Sequence, residues 1–206
     1  MAPANFFMKE IAKIKKLFRC DALVGRTRQS TAAAYCEPLS DARGPSMMSL
    51  LLDTFKSTLK FIEQSVADLS EQEMVEQPGG IANHATWTLG HVVTSCQGIA
   101  NELGWQGWLP SEWESIFGYG SVPVSDLSHY PSKSEILRAL SDAGDRLDQI
   151  LMNVSESTLK QSLPDGPEPT TAHLLFQVVV AHTAFHAGQL AMWRRAIGKG
   201  SAAVFV

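Results

Sequence analysis

Two histidines one helical turn apart are the residues of this chain best suited to chemistry. His182 and His186 stand in the segment 180–190, and at about 100° per residue they lie about 40° apart on one helical face. The same face carries apolar side chains, namely Leu175, Val179, Leu190 and Trp193. Both imidazoles are therefore expected in the core, where an unpartnered ring costs about 1–3 kcal/mol. A shared metal ion would remove that cost, because neutral imidazole nitrogens bind Zn, Ni, Cu and Fe.

An open zinc-type site needs a third protein ligand, and a second predicted helix offers His84 and His91. Seven residues return almost to the same face and span about 10 Å, so periodicity alone does not choose between these histidines. His91 lies well inside the helix, whereas His84 stands at its start, where an exposed or capping role is expected. The sequence thus predicts a metal site made of His91, His182 and His186. The alternative is a set of core histidines bonded to side chains of other helices.

The remaining candidate residues give weaker signals. His129 is expected at the surface, and His173 is half a turn out of phase with His182. The segment between His182 and His186 lacks the Glu of the HExxH motif, so a zinc-protease mechanism is unsupported. Cys96 lies about 140° from His91 on the same helix and is expected to be a small buried hydrophobe.

The elements that must position these histidines are four amphipathic helices. Spacings of three and four between apolar residues predict them over about 48–68, 83–103, 132–153 and 171–197. Asn83 is the expected N-cap of the second helix, and two capping boxes are predicted, Ser70 with Glu73 and Ser132 with Glu135. Residues 105–131 predict a long connection with a short helical turn near 110–117, rich in Gly, Pro and aromatic residues. The predicted fold class is all-α, a four-helix bundle with one long crossover connection.

Composition excludes several classes of function. The net charge is −4 and the pI is near 5.8, which gives no support for nucleic-acid binding. The odd number of cysteines, three without CxxC spacing, argues against a disulfide framework and predicts a reducing, cytoplasmic location. No apolar run approaches the ~18 residues of a membrane span, so a soluble protein without a transmembrane segment is expected.

The chain divides by charge into an N-terminal extension and a main domain. Residues 1–46 hold eight Lys/Arg and four Asp/Glu, whereas residues 47–206 hold nine and seventeen. The extension is expected to be poorly ordered, or to reflect a start placed too far upstream of Met47 and Met48. A short amphipathic helix for a membrane surface or targeting is the alternative. The bundle is expected over 47–200, with a tail at 201–206.

Several motifs occur in a characteristic order. They are Trp87-Thr-Leu-Gly-His91, Ile116-Phe-Gly-Tyr-Gly120, Tyr130-Pro-Ser132 and His182-x3-His186-Ala-Gly-Gln189-Leu, followed by Arg194-Arg195. Over about residues 47–200 the sequence resembles the DinB/YfiT-like superfamily. The resemblance implies a four-helix bundle with a three-histidine metal site, one ligand from the second helix and two from the fourth. It also implies a homodimer.

The resemblance further implies a function. Some members of this superfamily are metal-dependent transferases that activate a low-molecular-weight thiol such as mycothiol, bacillithiol or glutathione. The expectation is one divalent metal, Zn first and Ni or Fe as alternatives, which acts on a thiol and a small-molecule substrate. Gln189 and Arg194 or Arg195 are candidate substrate-orienting groups, with a bundle contact and a solvated helix end as their alternative interpretations. Two competing functions are a non-catalytic metal-binding, stress-associated interaction module and a hydrolase that uses metal hydroxide.

Overall fold

A computed structural model describes residues 46–162 and 170–200. These residues form α1 (Met47–Gln64), α2 (Ala85–Glu102), α3 (Glu112–Phe117), α4 (Lys133–Met152), α5 (Glu156–Leu159) and α6 (Thr171–Ala196). Within the described ranges the only β feature is an isolated bridge between Ser162 and Thr170. The all-α fold class is therefore confirmed. The expectations for residues 1–45 and for the tail 201–206 concern residues outside those described.

The four long helices α1, α2, α4 and α6 form the bundle. The principal contacts pair α1 with α4, α4 with α2, α2 with α6 and α6 with α1, so α1 and α2 face each other diagonally. Each helix contributes fully buried apolar side chains to the common core, among them Phe55, Ile62, Leu89, Ile99, Ile136, Leu147, Leu175, Leu190 and Trp193. Burial of these apolar faces, rather than helix propensity, stabilises the helices.

The helix ends follow local hydrogen-bonding signals, with two corrections. Ser132 and Glu135 form the predicted capping box at the start of α4, and Ser70 bonds Glu73 around a short 3₁₀ turn. The N-cap of α2 is His84, not Asn83, because the His84 ring accepts the backbone N–H of Trp87. α1 also ends earlier than predicted, at Gln64, since residues 65–68 continue only as turns.

The predicted long connection joins α2 to α4 and carries α3, at Glu112–Phe117, close to the expected helical turn. α3 packs on α2, and Trp113 and Phe117 bury their side chains there. Trp113 and Phe117 are in ring contact at 5.1 Å. The connection therefore covers the part of α2 that contains His91.

α6 is not a uniform α-helix. It is α-helical over Thr171–Leu175, π-helical over Phe176–His182 and α-helical again over Thr183–Ala196. By length and composition this helix could cross a membrane, but 44% of its apolar stretch is buried inside the protein. Because its inner face packs on α1 and α2, these are the contacts of a bundle core helix.

Candidate metal centre

The side-chain nitrogens of His91, His182 and His186 meet between α2 and α6. Nε2 of His182 lies 3.2 Å from Nε2 of His91 and 3.0 Å from Nε2 of His186. One nitrogen from each ring falls within 4.8 Å of the others. His91 and His186 are buried, with 7% and 4% of their surface exposed, and His182 is half-buried. The structure thus brings together the three histidines that the sequence selected.

The orientation of His91 is fixed by α3. Its Nδ1–H donates to the backbone carbonyl of Phe117 at 2.8 Å, which leaves the Nε2 lone pair directed at the other two rings. The indole of Trp87 stacks on the His91 ring, with centroids 4.6 Å apart and planes 8° apart. Trp87 in turn donates its Nε1–H to Ser121 at 2.8 Å. Histidine ligands of metals commonly donate their second N–H to a backbone carbonyl, as His91 does to Phe117.

Burial keeps the cluster neutral. It lowers the pKa of His91, and it lowers the pKa of His182 to about 3, with a smaller effect of His91 on His182. The pKa of His186 falls to about 2, first through burial and then through the other two rings, while the Gln189 side chain opposes the shift. The rings therefore present lone pairs, not positive charges, at neutral pH.

The contacts between these nitrogens suit a cation better than a proton. If His182 carries a proton on Nε2, it can donate this proton to His91 or to His186 but not to both, so the other close contact would lack a hydrogen bond. Two nitrogens at 2.0–2.1 Å from a tetrahedral zinc are about 3.3 Å apart, close to the separations of 3.0 and 3.2 Å found here. The donor set fits one divalent metal ion.

The other three histidines do not belong to this cluster. His129 is exposed on a 3₁₀ turn, and the exposed His173 caps the start of α6 by bonding Thr170 at 2.9 Å. His84 has the expected capping role but is fully buried rather than exposed. Its Nε2 lies 3.0 Å from the carbonyl of Val124 and 3.2 Å from the hydroxyl of Tyr130, so it ties the start of α2 to the crossover connection.

Of the candidate orienting groups, only Gln189 lies near the cluster. Its buried side chain acts on the His186 ring, whose pKa it raises, although Gln189 Oε1 and Nδ1 of His182 and His186 make no well-formed hydrogen bond. Arg194 is instead committed to a structural contact. It is 4% exposed, and its guanidinium binds both carboxylate oxygens of Asp68 at 2.6 and 2.8 Å, which lowers the pKa of that carboxyl to about 2.

Arg195 and Cys96 lie outside the cluster as well. Arg195 is exposed and contacts the sulfur of Met192. Cys96 is buried at 3% exposure, and burial raises the pKa of its thiol to about 12, so it is a small hydrophobe, as predicted. Two of the other tryptophans are not at the cluster: Trp105 is 54% exposed, and Trp108 lies beneath the Arg146 guanidinium at 5.2 Å.

Three features of the site were not anticipated from the sequence. They are the Phe117 carbonyl that holds His91, the stacking of Trp87, and the π-helical segment that ends at His182. The first two involve residues of the motifs at 87–91 and 116–120. Each motif contains a glycine, Gly90 or Gly118, which has no side chain. A Cβ atom at Gly90 would overlap the Phe117 ring, so this glycine permits the close approach of α3 to α2.

The chain is thus a helical bundle with three inward histidines from two helices, an arrangement that could hold a metal ion. The DinB superfamily profile matches residues 54–190 of this chain, and the chain therefore belongs to the DinB superfamily. Its fold is similar to the crystal structure of a conserved protein from Enterococcus faecalis, with a TM-score of 0.64 and 17% identity over 75% of this chain and 98% of the other. No curated protein matches this chain.

Proposed function

We propose that this protein is a metal-dependent transferase that activates a low-molecular-weight thiol. The observation that carries the proposal is the convergence of three neutral Nε2 atoms, with separations of 3.0 and 3.2 Å. His91, His182 and His186 would hold the metal through these atoms. The three ligands supply no negative charge, so a bound divalent ion would keep its full charge and lower the pKa of a thiol.

The chain's own residues supply positioning and shelter from water. His91 is held by the Phe117 carbonyl and the Trp87 ring, which confine its lone pair to the cluster. Gln189 supplies a buried oxygen near His186, and this oxygen would accept a hydrogen bond from a substrate bound there. Arg194 has no such role in the proposal, because Asp68 occupies its guanidinium.

The metal site is tested first, by elemental analysis of the untagged protein. We expect about one equivalent of a divalent metal, Zn first and Ni or Fe as alternatives, and loss of nearly all of it in His186→Ala. His129→Ala is the matched control, because His129 is exposed and does not belong to the cluster. Unchanged metal content in His186→Ala would refute the site.

The thiol step is tested separately on the cobalt-substituted protein. We expect glutathione or a cysteine-based thiol to produce a sulfur-to-cobalt charge-transfer band that His186→Ala lacks. A protein that holds one equivalent of metal but gives no spectral response to any thiol would contradict the transferase and keep the metal site. That result would favour the metal-binding interaction module or the hydrolase instead.

A further inference from the structure

The backbone changes its hydrogen-bonding pattern immediately before the two-histidine motif. Residues Phe176–His182 are π-helical, and regular α-helix resumes at Thr183. A π-helical turn uses i→i+5 bonds and is a rare feature that is enriched at functional sites. Each such turn holds about one residue more than an α-helical turn, so it rotates everything after it relative to everything before it.

The side chain of Thr183 spans this change. Its hydroxyl donates to the carbonyl of Val178 at 3.1 Å, across five residues. Thr183 is 2% exposed, so no water replaces this bond when it is lost. Elsewhere in the bundle a buried threonine bonds differently: Thr58 donates to the carbonyl of Thr54 at 2.8 Å, four residues back in an ordinary α-helix.

The rotation acts on His182. This histidine is the last residue of the π segment, and its Nε2 atom is the one that contacts both other rings. The earlier part of α6 is fixed by burial of Leu174 and Leu175. If residues 176–182 relaxed to an α-helix, the ring of His182 would turn away from His91 by up to about 100°.

We infer that Thr183 is a positioning residue, whose hydroxyl holds the π-helical turn that directs His182 toward His91. The segment Val178-Val179-Val180 contributes, because β-branched residues crowd an α-helical turn and weaken its preference for regular geometry. The inference rests on the proposed metal site, since it assigns a role in forming that site.

The test compares zinc affinity in the full-length chain, measured by chelator competition. Thr183→Val keeps the shape of the side chain and removes the hydroxyl, and we expect it to weaken zinc binding by about 10-fold or more. Thr183→Ser keeps the hydroxyl and should stay within about twofold of the parent. Thr58→Val removes a comparable buried hydroxyl away from the site, so it should lower stability without changing zinc affinity.

A crystal structure of metal-free Thr183→Val gives a second readout that does not need the metal. We expect i→i+4 bonds in residues 176–182 and a separation of His182 Nε2 from His91 Nε2 greater than 3.2 Å. Parent-like zinc affinity in Thr183→Val, or an unchanged π segment in its structure, would overturn the inference. Absence of zinc binding in the parent would instead refute the metal site, and the structure would still test Thr183.

Discussion

At the scale of single residues, two histidines seven positions apart, one at the start of α2 and one inside it, have different roles. His84 accepts the Trp87 N–H at the helix start, whereas His91 donates to Phe117 and turns its other nitrogen toward α6. Both rings are buried, and burial lowers both pKa values. What separates them is the partner of each nitrogen, which decides where the remaining lone pair points.

The cap formed by His84 predicts a pH dependence of stability. Burial lowers its pKa from 6.5 to about 4, and its Nδ1 must be unprotonated to accept the Trp87 N–H. A group with a depressed pKa in the folded state stabilises the protein fully above its unfolded pKa, and loses that contribution as pH falls toward the folded value. Between pH 7 and pH 5 the loss from His84 should be on the order of 2 kcal/mol.

Urea unfolding of the metal-free protein at pH 7 and pH 5 measures this effect. His84→Asn is the comparison, because Asn is a good N-cap that does not titrate. We expect the fall in unfolding free energy between the two pH values to be smaller in the variant by about the amount assigned to His84. Equal falls in the two proteins would show that His84 does not carry this pH dependence.

At the scale of elements, the site depends on how closely α3 approaches α2. Gly90 provides the space for the Phe117 ring, and the Phe117 carbonyl holds His91, the next residue along α2. The crossover connection therefore helps to form the candidate metal site, although none of its described residues belongs to the histidine cluster. Its second anchor is Tyr130, which stacks on Phe117 at 5.7 Å and bonds His84.

Gly90→Ala should therefore damage both stability and the site. The new methyl group would overlap the fully buried Phe117 ring, at a cost of about 1–3 kcal/mol for overpacking, and would shift the carbonyl away from His91. We expect a lower unfolding midpoint in urea and weaker zinc binding by competition.

Gly144→Ala is the matched control within α4. Its Cβ would lie 2.9 Å from Leu59 Cδ1, the end of a flexible side chain, and the gain in helix propensity of about 1 kcal/mol offsets the crowding. We expect near-parent stability and parent zinc affinity. Equal zinc affinity in the Gly90 and Gly144 variants would contradict the role of the Phe117 carbonyl.

At the scale of the whole molecule, α6 has an outer face that is apolar as well as its inner one. No charged residue occurs from Thr171 to Met192, and Phe176, Phe185 and Met192 are 54%, 61% and 61% exposed. Gly188 lies on the same face, and a Cβ there would meet nothing within 4 Å, so no contact within the bundle requires this glycine. A helix that is apolar all round is normally covered on every side.

We propose that a second copy of the chain covers this face, in keeping with the homodimer that the family resemblance implies. The missing side chain at Gly188 would let two helices approach closely across a two-fold axis. We expect the parent to sediment as a dimer and the double variant Phe185→Glu/Met192→Glu to sediment as a monomer. Val122→Glu alters another exposed apolar residue, which lies in the crossover connection, and should leave the dimer intact. A monomeric parent would contradict this proposal.

The sequence alone determined the class of fold and the ligand candidates. The apolar periodicity of α1, α2, α4 and α6 is a local property of each segment, so helices and their inward faces follow from it. The same periodicity placed His182 and His186 together on the inner face of α6, whereas His91 was preferred to His84 because it lies well inside α2. The helix ends were less predictable, because Asn83 and His84 are both capable of capping and only the ring partners at Val124 and Tyr130 favour the histidine.

Only the tertiary structure decided how the site is held. The carbonyl of Phe117 accepts a hydrogen bond from His91, which is 26 residues earlier in the chain. Every residue has a backbone carbonyl, so the sequence alone does not indicate which carbonyl a histidine will contact. The π-helical turn before Thr183 likewise breaks the 3.6-residue period on which helix prediction rests. Periodicity reports which way a side chain faces along one helix, whereas the distance between rings on two helices depends on the packing of all the others.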